Sequence, residues 1–493
     1  MRSISFVQRD NHGDLLEQAT HAELLVVVRD LLTRVAVLEA ENALLKAENT
    51  TLKAENAALR EELRASKRAT APFSKGKGKA HPKKPGRKAG KGTFTNRPEP
   101  QPGPADLVED IAVPLDSPNC PQCGAALEVE EQTATVEDTP PEPVRMIKRF
   151  KVEVGVCPVC GWRGRGRHAQ LAVGQHGATA HRVGPQIMGK ALELHYHCGL
   201  PLCKVPAVLQ SFTGVALSQS AITQAAGTLC APGGNLHTAY LGLREEVSVA
   251  KVVNTDDTGW RIGGKLAFLM GFFTPVLAVF QVRWRHRHQE VLEMLGAAFD
   301  GLLGTDRGTS YEAQAMSEIE QQKCLSHLLK NLSAVEETKT GRAKAFARNL
   351  KEILREANQL WSDYRGGECT FEAYRARGQP IREKLSHELR HRVLKDCDNQ
   401  RLLDGIGRQH RGGRVLLFLE RPEIEPTNNR AERGLRGGVI ARKVSHCSKN
   451  ERGAGIYEVA KSVTATLALR GYRVATALAD MIVGKPMPTA PDR

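Results

Sequence analysis

The sequence has no apolar run long enough to cross a bilayer. Its longest, residues 266–282, falls short of the ~20 residues that a membrane helix needs and is broken by Gly271 and Pro275. An export leader is also missing: residues 1–14 mix charges and hold no apolar core, so a cytoplasmic protein without a membrane partner is expected. Cysteine is too sparse for a secreted disulfide scaffold, with 11 in 493 residues. Four of them stand as two Cys-x-x-Cys pairs, which suits a reducing compartment and a metal. Acidic residues are the minority charge: 55 Asp and Glu face 70 Lys and Arg, a net charge of +15. That surplus favours polyanions, because each phosphate neutralised by Lys or Arg releases counterions. A chain of this length should divide into several units.

The first unit is a heptad. Leu24, Leu31, Leu38, Leu45, Leu52 and Leu59 recur every seventh residue, and Val28, Val35, Asn42, Asn49, Asn56 and Leu63 follow each by four. Leu at d with Asn at several a positions specifies a parallel coiled coil, since a buried Asn disfavours other registers. The pairs Arg34 with Glu39, Glu41 with Lys46, Glu48 with Lys53 and Glu55 with Arg60 join a g position to the next e and are opposite in sign, as an in-register homodimer requires. Residues 67–91 then carry basic side chains and no acidic one among Gly, Pro and Ala, which reads as a disordered linker able to touch phosphate by charge.

Cys120-x-x-Cys123-Gly124 and Cys157-x-x-Cys160-Gly161 are knuckle-like pairs with a glycine just after each, giving the tight turn that aims two sulfurs at one ion. Four thiolates make a closed tetrahedral site, so one structural Zn²⁺ is expected. A redox pair would need no matching second. The run Arg163, Arg165, Arg167 and His168 faces DNA or solvent. His195, His197, Cys198 and Cys203 also cluster, but their spacing fits no ligand pattern and an ordinary helix followed by a turn is the better reading.

Residues 247–253, 265–273 and 276–283 read as strands, with turns at Gly263-Gly264 and Thr274-Pro275, and make an α/β or α+β core with the helices that follow. The first strand should end in Thr255-Asp256-Asp257-Thr258. Residues 289–298 read as a helix, and the strand 301–305 ends in Asp306. Downstream, Pro426-Thr427-Asn428-Asn429-Arg430-Ala431-Glu432-Arg433 opens a helix with Thr427 as its N-cap and Glu432 in the second turn. Residues 343–359 and 371–393 read as helices between them. Two strand-end aspartates and a helix-borne glutamate brought to one spot would repel each other without cations; hard divalent ions take such oxygen ligands and drive in-line phosphoryl displacement.

Asp256-Asp257-Thr258-Gly259-Trp260-Arg261 resembles the Asp-Glu-Thr segment of insertion-sequence transposases of the IS66 family. Asn428-Asn429-Arg430-Ala431-Glu432-Arg433, with Leu435-Arg436 and Arg442-Lys443 after it, is similar to that family's Asn-Asn-x-x-Glu-Arg signature, and Cys324-Leu325-Ser326-His327 to its Cys-x-x-His segment. The zipper, linker and cysteine pairs extend the resemblance over nearly the whole chain. It implies a multidomain protein: an N-terminal parallel coiled coil, a four-cysteine zinc ribbon, and an α/β ribonuclease-H-like catalytic domain with a helical insertion. It further implies an Asp-Asp-Glu triad in which Asp256 bridges two Mg²⁺ or Mn²⁺ ions while Asp306 holds one and Glu432 the other. The implied reaction is hydrolysis at transposon ends, followed by attack of the freed 3′-hydroxyls on target DNA, with small companion proteins involved. Asp257 stands where the family has Glu; alternation puts it and Asp256 on opposite faces, and the alignment favours Asp256. Leu325 and Lys330 depart from the family's aromatic and Arg, so His327 is expected only to support the site. Arg433 and Arg436 touch phosphate, brace Glu432 or lie on a solvated face.

The expected organisation is a coiled coil over 20–66, a linker over 67–105, a zinc ribbon over 106–170 and a helical DNA-binding or connecting region over 171–245. A catalytic core over 246–335 and 421–475 follows, with its insertion at 336–420 and a tail at 476–493. The rivals are a zipper and zinc-ribbon DNA-binding protein with a degenerate core, and a ribonuclease-H-like nuclease.

Overall fold

A computed structural model describes residues 21–68, 143–168, 170–171 and 183–490, with 112, 118–119, 122–123 and 125–126 as short islands. Cys120 and the basic linker from residue 69 onward lie outside the described residues. The chain divides into two compact units, Met1–Glu137 and Asp138–Arg493.

In the first unit the heptad segment forms one helix, α1 (His21–Arg68). Its described seam side chains are exposed: Val28, Leu31, Val35, Leu38, Leu45 and Leu52 each present about half or more of their surface to solvent.

The second unit opens with a hairpin of β1 (Val154–Val156) and β2 (Arg163–Arg165) around Cys157 and Cys160. Gly161 takes φ 69°, a left-handed conformation that glycine adopts without steric cost, and its amide donates to the Cys157 carbonyl at 3.0 Å. A helical layer follows: α2 (Pro185–Leu192), α3 (Val205–Thr213), α4 (Gln219–Leu229) and α5 (Asn235–Ser248). Between α2 and α3, Glu193–His197 is a π-helical turn in which His195 Nδ1 meets the Leu200 carbonyl at 2.8 Å.

The centre is a five-stranded mixed sheet of β3 (Val252–Ile262), β4 (Lys265–Phe273), β5 (Ala278–Arg283), β6 (Leu302–Thr305) and β7 (Gln321–Lys323), in the order β5-β4-β3-β6-β7. The first three pair antiparallel, and β6 and β7 run parallel to β3. With α6 (His288–Leu295) between β5 and β6, this α/β arrangement fits the catalytic domain expected. Strands β4 and β5 are buried almost throughout, which is why they read as continuous apolar text. Then come α7 (Leu325–Thr338), α8 (Gly341–Arg365), α9 (Phe371–Glu388) and α10 (Cys397–Arg411), whose apolar faces make a core of their own around Leu328, Leu350, Leu354, Tyr374, Leu385 and Ile406. The chain returns to the sheet with α11 (Asn429–Ser445), α12 (Glu451–Leu469) and α13 (Val474–Ile482). No helix among the described residues is long and apolar enough to cross a membrane.

Helix α12 closes an edge of the sheet. Its Glu458, Ser462 and Thr466, spaced one turn apart, accept the backbone N–H groups of Val282, Phe280 and Ala278 at 2.9, 2.8 and 3.1 Å. The i, i+4 step of the helix matches the alternate outward amides of β5, so donors that would template another strand are satisfied inside the molecule. Glu458 also accepts from Tyr240 Oη at 2.7 Å and Arg283 Nη1 at 2.9 Å. Glu458→Ala would strand the buried Val282 amide and take one partner each from Tyr240 Oη, which keeps the Phe280 carbonyl, and from Arg283, which keeps Glu293. A loss of about 2–3 kcal/mol is expected in denaturant unfolding, and Glu458→Gln should recover part of it.

Three expectations need correction. Residues 247–248 close helix α5 rather than begin a strand, because Leu236, Tyr240, Leu243 and Val247 bury one helical face. The strand starts at Val252 and does not end at the aspartates; it runs through them to Ile262, paired with β4. Finally Asn428, not Thr427, is the residue just before α11, and Glu432 lies in the first turn of that helix, not its second.

Candidate active site

Asp256 sits where the parallel partner of β3 stops. Strand β6 pairs with Val252, Val253 and Asn254 only, while β4 continues alongside, with Asp256 opposite Gly271. The carboxylate therefore stands at the opening between the diverging strands β3 and β6. Asp306 directly follows β6, where its Oδ1 accepts the Gly308 amide at 2.7 Å and the turn holds the side chain at the same strand ends. Glu432 comes from the first turn of α11, where a negative charge also suits the helix dipole.

Asn428 joins these pieces. Fully buried, it donates its Nδ2 to the Thr255 carbonyl at 2.8 Å and accepts at Oδ1 from Asn254 Nδ2 at 3.1 Å. Its backbone amide donates to Cys324 Sγ at 3.1 Å. The Cys324 amide in turn donates to the Thr305 carbonyl, and the Leu325 amide to Pro426, both at 2.9 Å. One asparagine thus ties the strand before Asp256 to the helix that carries Glu432, and the cysteine ties both to the strand before Asp306. Because the Asn428 side chain is committed to β3, it does not cap its own helix.

His327, one turn into α7, lies among the acids. Its Nε2 is 3.9 Å from Glu432 Oε1. The Cys324 thiol beside it raises its pKa most, against burial, with Glu432 and Asp306 adding to the rise. It in turn stabilises the charge of Asp256. Its charge is thus coupled to Glu432, Asp306 and Asp256. Asp257 points elsewhere, its Oδ2 3.4 Å from Nδ1 of His286, which stacks on Phe268. Burial still raises the Asp257 carboxyl, with His286 opposing.

Asp256 is the most perturbed acid. Burial first, and then the neighbouring charge of Asp306, push its carboxyl up to about 7. Carboxylate oxygens are the donors that a hard divalent cation takes, although among the described residues these three acids are not a group whose ligand atoms all lie within 4.8 Å of one another. Beneath them, Lys323 is fully buried with its Nζ 3.0 Å from Glu312 Oε1 and 3.1 Å from Thr305 Oγ1. That ion pair next to Asp306 carries no motif and was invisible in the sequence, as was the Asn428 clamp. Arg433 and Arg436 are exposed and pair with nothing among the described residues, so neither braces Glu432. Arg442, by contrast, donates to Thr258 Oγ1 at 3.1 Å and to the Gly259 carbonyl at 2.6 Å, holding α11 against β3.

Of the cysteine pairs, Cys123 belongs to the first unit, and Cys157 and Cys160 to the second. Backbone amides of Cys160 and Val159 hold the Cys157 thiol below its ordinary pKa, the environment in which a thiolate ligand forms.

Comparison with known proteins gives one family match: the model described as "Transposase IS66 family" covers residues 181–456. No curated protein matches. Ten chains of solved structures match, two of them as follows, both at low identity. One is the HTLV-2 integrase catalytic core domain in complex with magnesium, 7% identical with a TM-score of 0.14, covering 31% of this chain and 94% of that one. The other is the simian T-cell lymphotropic virus intasome in complex with PP2A regulatory subunit B56 gamma, 12% identical with a TM-score of 0.14, covering 43% and 74%.

Proposed function

This chain belongs to the IS66 family of transposases, and from that premise we propose that it cleaves DNA at transposon ends and transfers the freed 3′-hydroxyls into target DNA, using Asp256, Asp306 and Glu432. What supports the reading is charge coupling among residues far apart in the chain: Asp256 is displaced to about 7 by burial and by Asp306, and His327, 3.9 Å from Glu432, is also coupled to both aspartates. The five-stranded sheet would be the ribonuclease-H-like core, with α8, α9 and α10 as its insertion.

Asp256, Asp306 and Glu432 would hold two Mg²⁺ or Mn²⁺ ions, whose chemistry is to activate the attacking oxygen and stabilise the leaving one. The protein's own share is position and charge. Asp256 on β3 and Asp306 after β6 are set by the sheet, Glu432 by the Asn428 clamp. His327, whose pKa is raised by Cys324, Glu432 and Asp306, would when protonated offset part of the acidic charge from 3.9 Å away from Glu432. Exposed Arg433 and Arg436, on the helix that carries Glu432, are suited to the DNA phosphates.

Two N-terminal parts complete the reading. The exposed seam of α1 supports a parallel homodimer able to hold two DNA ends. The double substitution Leu38→Lys with Leu45→Lys should convert a dimer into monomers in sedimentation equilibrium; a mass unchanged from wild type would remove the zipper. Cys120, Cys123, Cys157 and Cys160 are proposed to bind one structural Zn²⁺, supported by the turn and amide contacts at Cys157. Linear DNA bearing the element's own ends, incubated with Mg²⁺, tests the function: cleaved ends joined to a target plasmid are expected. Cleavage without joining would identify a nuclease, and binding without cleavage a degenerate core.

A further inference from the structure

Cys324, His327 and Glu432 offer a thiol sulfur, a ring nitrogen and a carboxylate oxygen that all lie within 4.8 Å of one another, the one such trio among the described residues. We propose that these side chains form a site for a thiophilic divalent cation, zinc above all, and that its occupancy withdraws Glu432 from the hard-cation chemistry and holds the protein inactive.

The sulfur is already presented as a ligand. Cys324 is buried at the N-cap of α7, and the Asn428 backbone amide donates to its Sγ at 3.1 Å, a contact that favours thiolate and orients it. His327 follows one turn later, so a single helix start supplies both soft donors. Its Nδ1 is buried with no hydrogen-bond partner, an unmet polar atom facing away from solvent. Glu432 is the mobile member: its Oε1 stands 3.9 Å from His327 Nε2, and its half-exposed side chain has the rotamer freedom to close onto an ion.

Donor chemistry decides the ion. A mixed sulfur, nitrogen and oxygen set selects zinc, cobalt or cadmium, whereas magnesium takes oxygen alone. Three protein ligands leave a fourth tetrahedral position to water, and binding sends the thiol proton to solvent. Glu432 cannot serve the soft and the hard site together. That inhibitory consequence rests on reading Glu432 as part of the acidic triad; the metal site itself does not.

The test uses the full chain, freed of metal, reloaded with zinc under a non-thiol reductant and titrated with a chromophoric chelator. Wild type is compared with Cys324→Ser and His327→Asn. Each variant should hold about one zinc equivalent fewer, or hold it roughly 100-fold more weakly. Because Cys324 is buried, the half-exposed His327 provides the second variant, with circular dichroism to verify folding. The same count and affinity in wild type and His327→Asn would overturn the site. In wild type, zinc at this site should slow Mg²⁺-dependent DNA cleavage at least about tenfold; full activity with the site loaded would overturn the competition for Glu432. If zinc binding falls as expected but wild type cleaves no DNA with any cation, the transposase reading fails and the metal site stands.

Discussion

Replacing Asp256 with Asn is expected to lower DNA-end cleavage by roughly 10³-fold or more while leaving DNA binding intact, and also to make the metal-free protein more stable at alkaline pH. The two effects share one cause. Burial and Asp306 push the Asp256 carboxyl up to about 7, against 3.8 for the free group. A folded carboxyl with a raised pKa keeps a proton that the unfolded chain has already released. Folded stability therefore falls as pH rises from about 4 through about 7, and the whole cost stands above that range. Removing the ionisable group should return on the order of 2–4 kcal/mol at pH 8 in the presence of chelator, shrinking toward nothing near pH 4. Mg²⁺ should raise the thermal midpoint of wild type more than that of Asp256→Asn. Thermal unfolding across pH, with and without Mg²⁺, checks this. A variant equally stable at both pH values would mean that Asp256 bears no strain of charge, whatever its activity.

The second large effect concerns a residue that touches no substrate in this reading. Asn428→Ala should cost about 2–4 kcal/mol, because the Thr255 carbonyl and the Asn254 amide, both buried, lose their partner. It should also lower the cleavage rate by about 100-fold at saturating DNA, since the helix bearing Glu432 is no longer tied to the strand bearing Asp256. The split between parameters is informative: kcat should fall while KM for DNA stays near wild type. Asn428→Asp is expected to fail as well, because a carboxylate cannot donate to Thr255 and adds an acid beside the triad. A loss of stability with unchanged kcat would reduce Asn428 to a structural role.

Much of this architecture is legible in the sequence where periodicity or turn chemistry writes it. The heptad gives α1 almost to its ends, Gly263-Gly264 marks the β3–β4 turn, and the apolar text of 265–273 is β4. The error at 247–248 arose because a Val-rich run looks like a strand. The spacing Leu236, Tyr240, Leu243, Val247 is helical, and burial of that face wins over local β-propensity. The choice of Asp256 over Asp257 is open to sequence only through strand alternation and resemblance; in the structure Asp257 meets His286 while also feeling the charge of Asp306.

What was not legible is long-range and polar. Asn428 reaches Thr255 across most of the sheet-forming sequence, and nothing in its local text distinguishes a clamp from an N-cap. Lys323 reads as an ordinary surface lysine until β7 is seen lying inside the molecule, where Glu312 neutralises it. The surroundings of His327 are geometric as well: it stands beside Glu432 and in the field of Asp256 and Asp306, three acids drawn from separate elements. Such sites are built from single contacts between distant segments, and no periodic pattern announces them.

The central claim is that Asp256, Asp306 and Glu432 share a pair of cations. Anomalous diffraction from crystals soaked in Mn²⁺ tests it most directly. Two peaks about 4 Å apart are expected, with Asp256 between them, Asp306 on one and Glu432 on the other, and both should vanish in Asp256→Asn. Peaks that avoid these carboxylates, or a single ion ligated by Asp257 and not by Asp256, would contradict it.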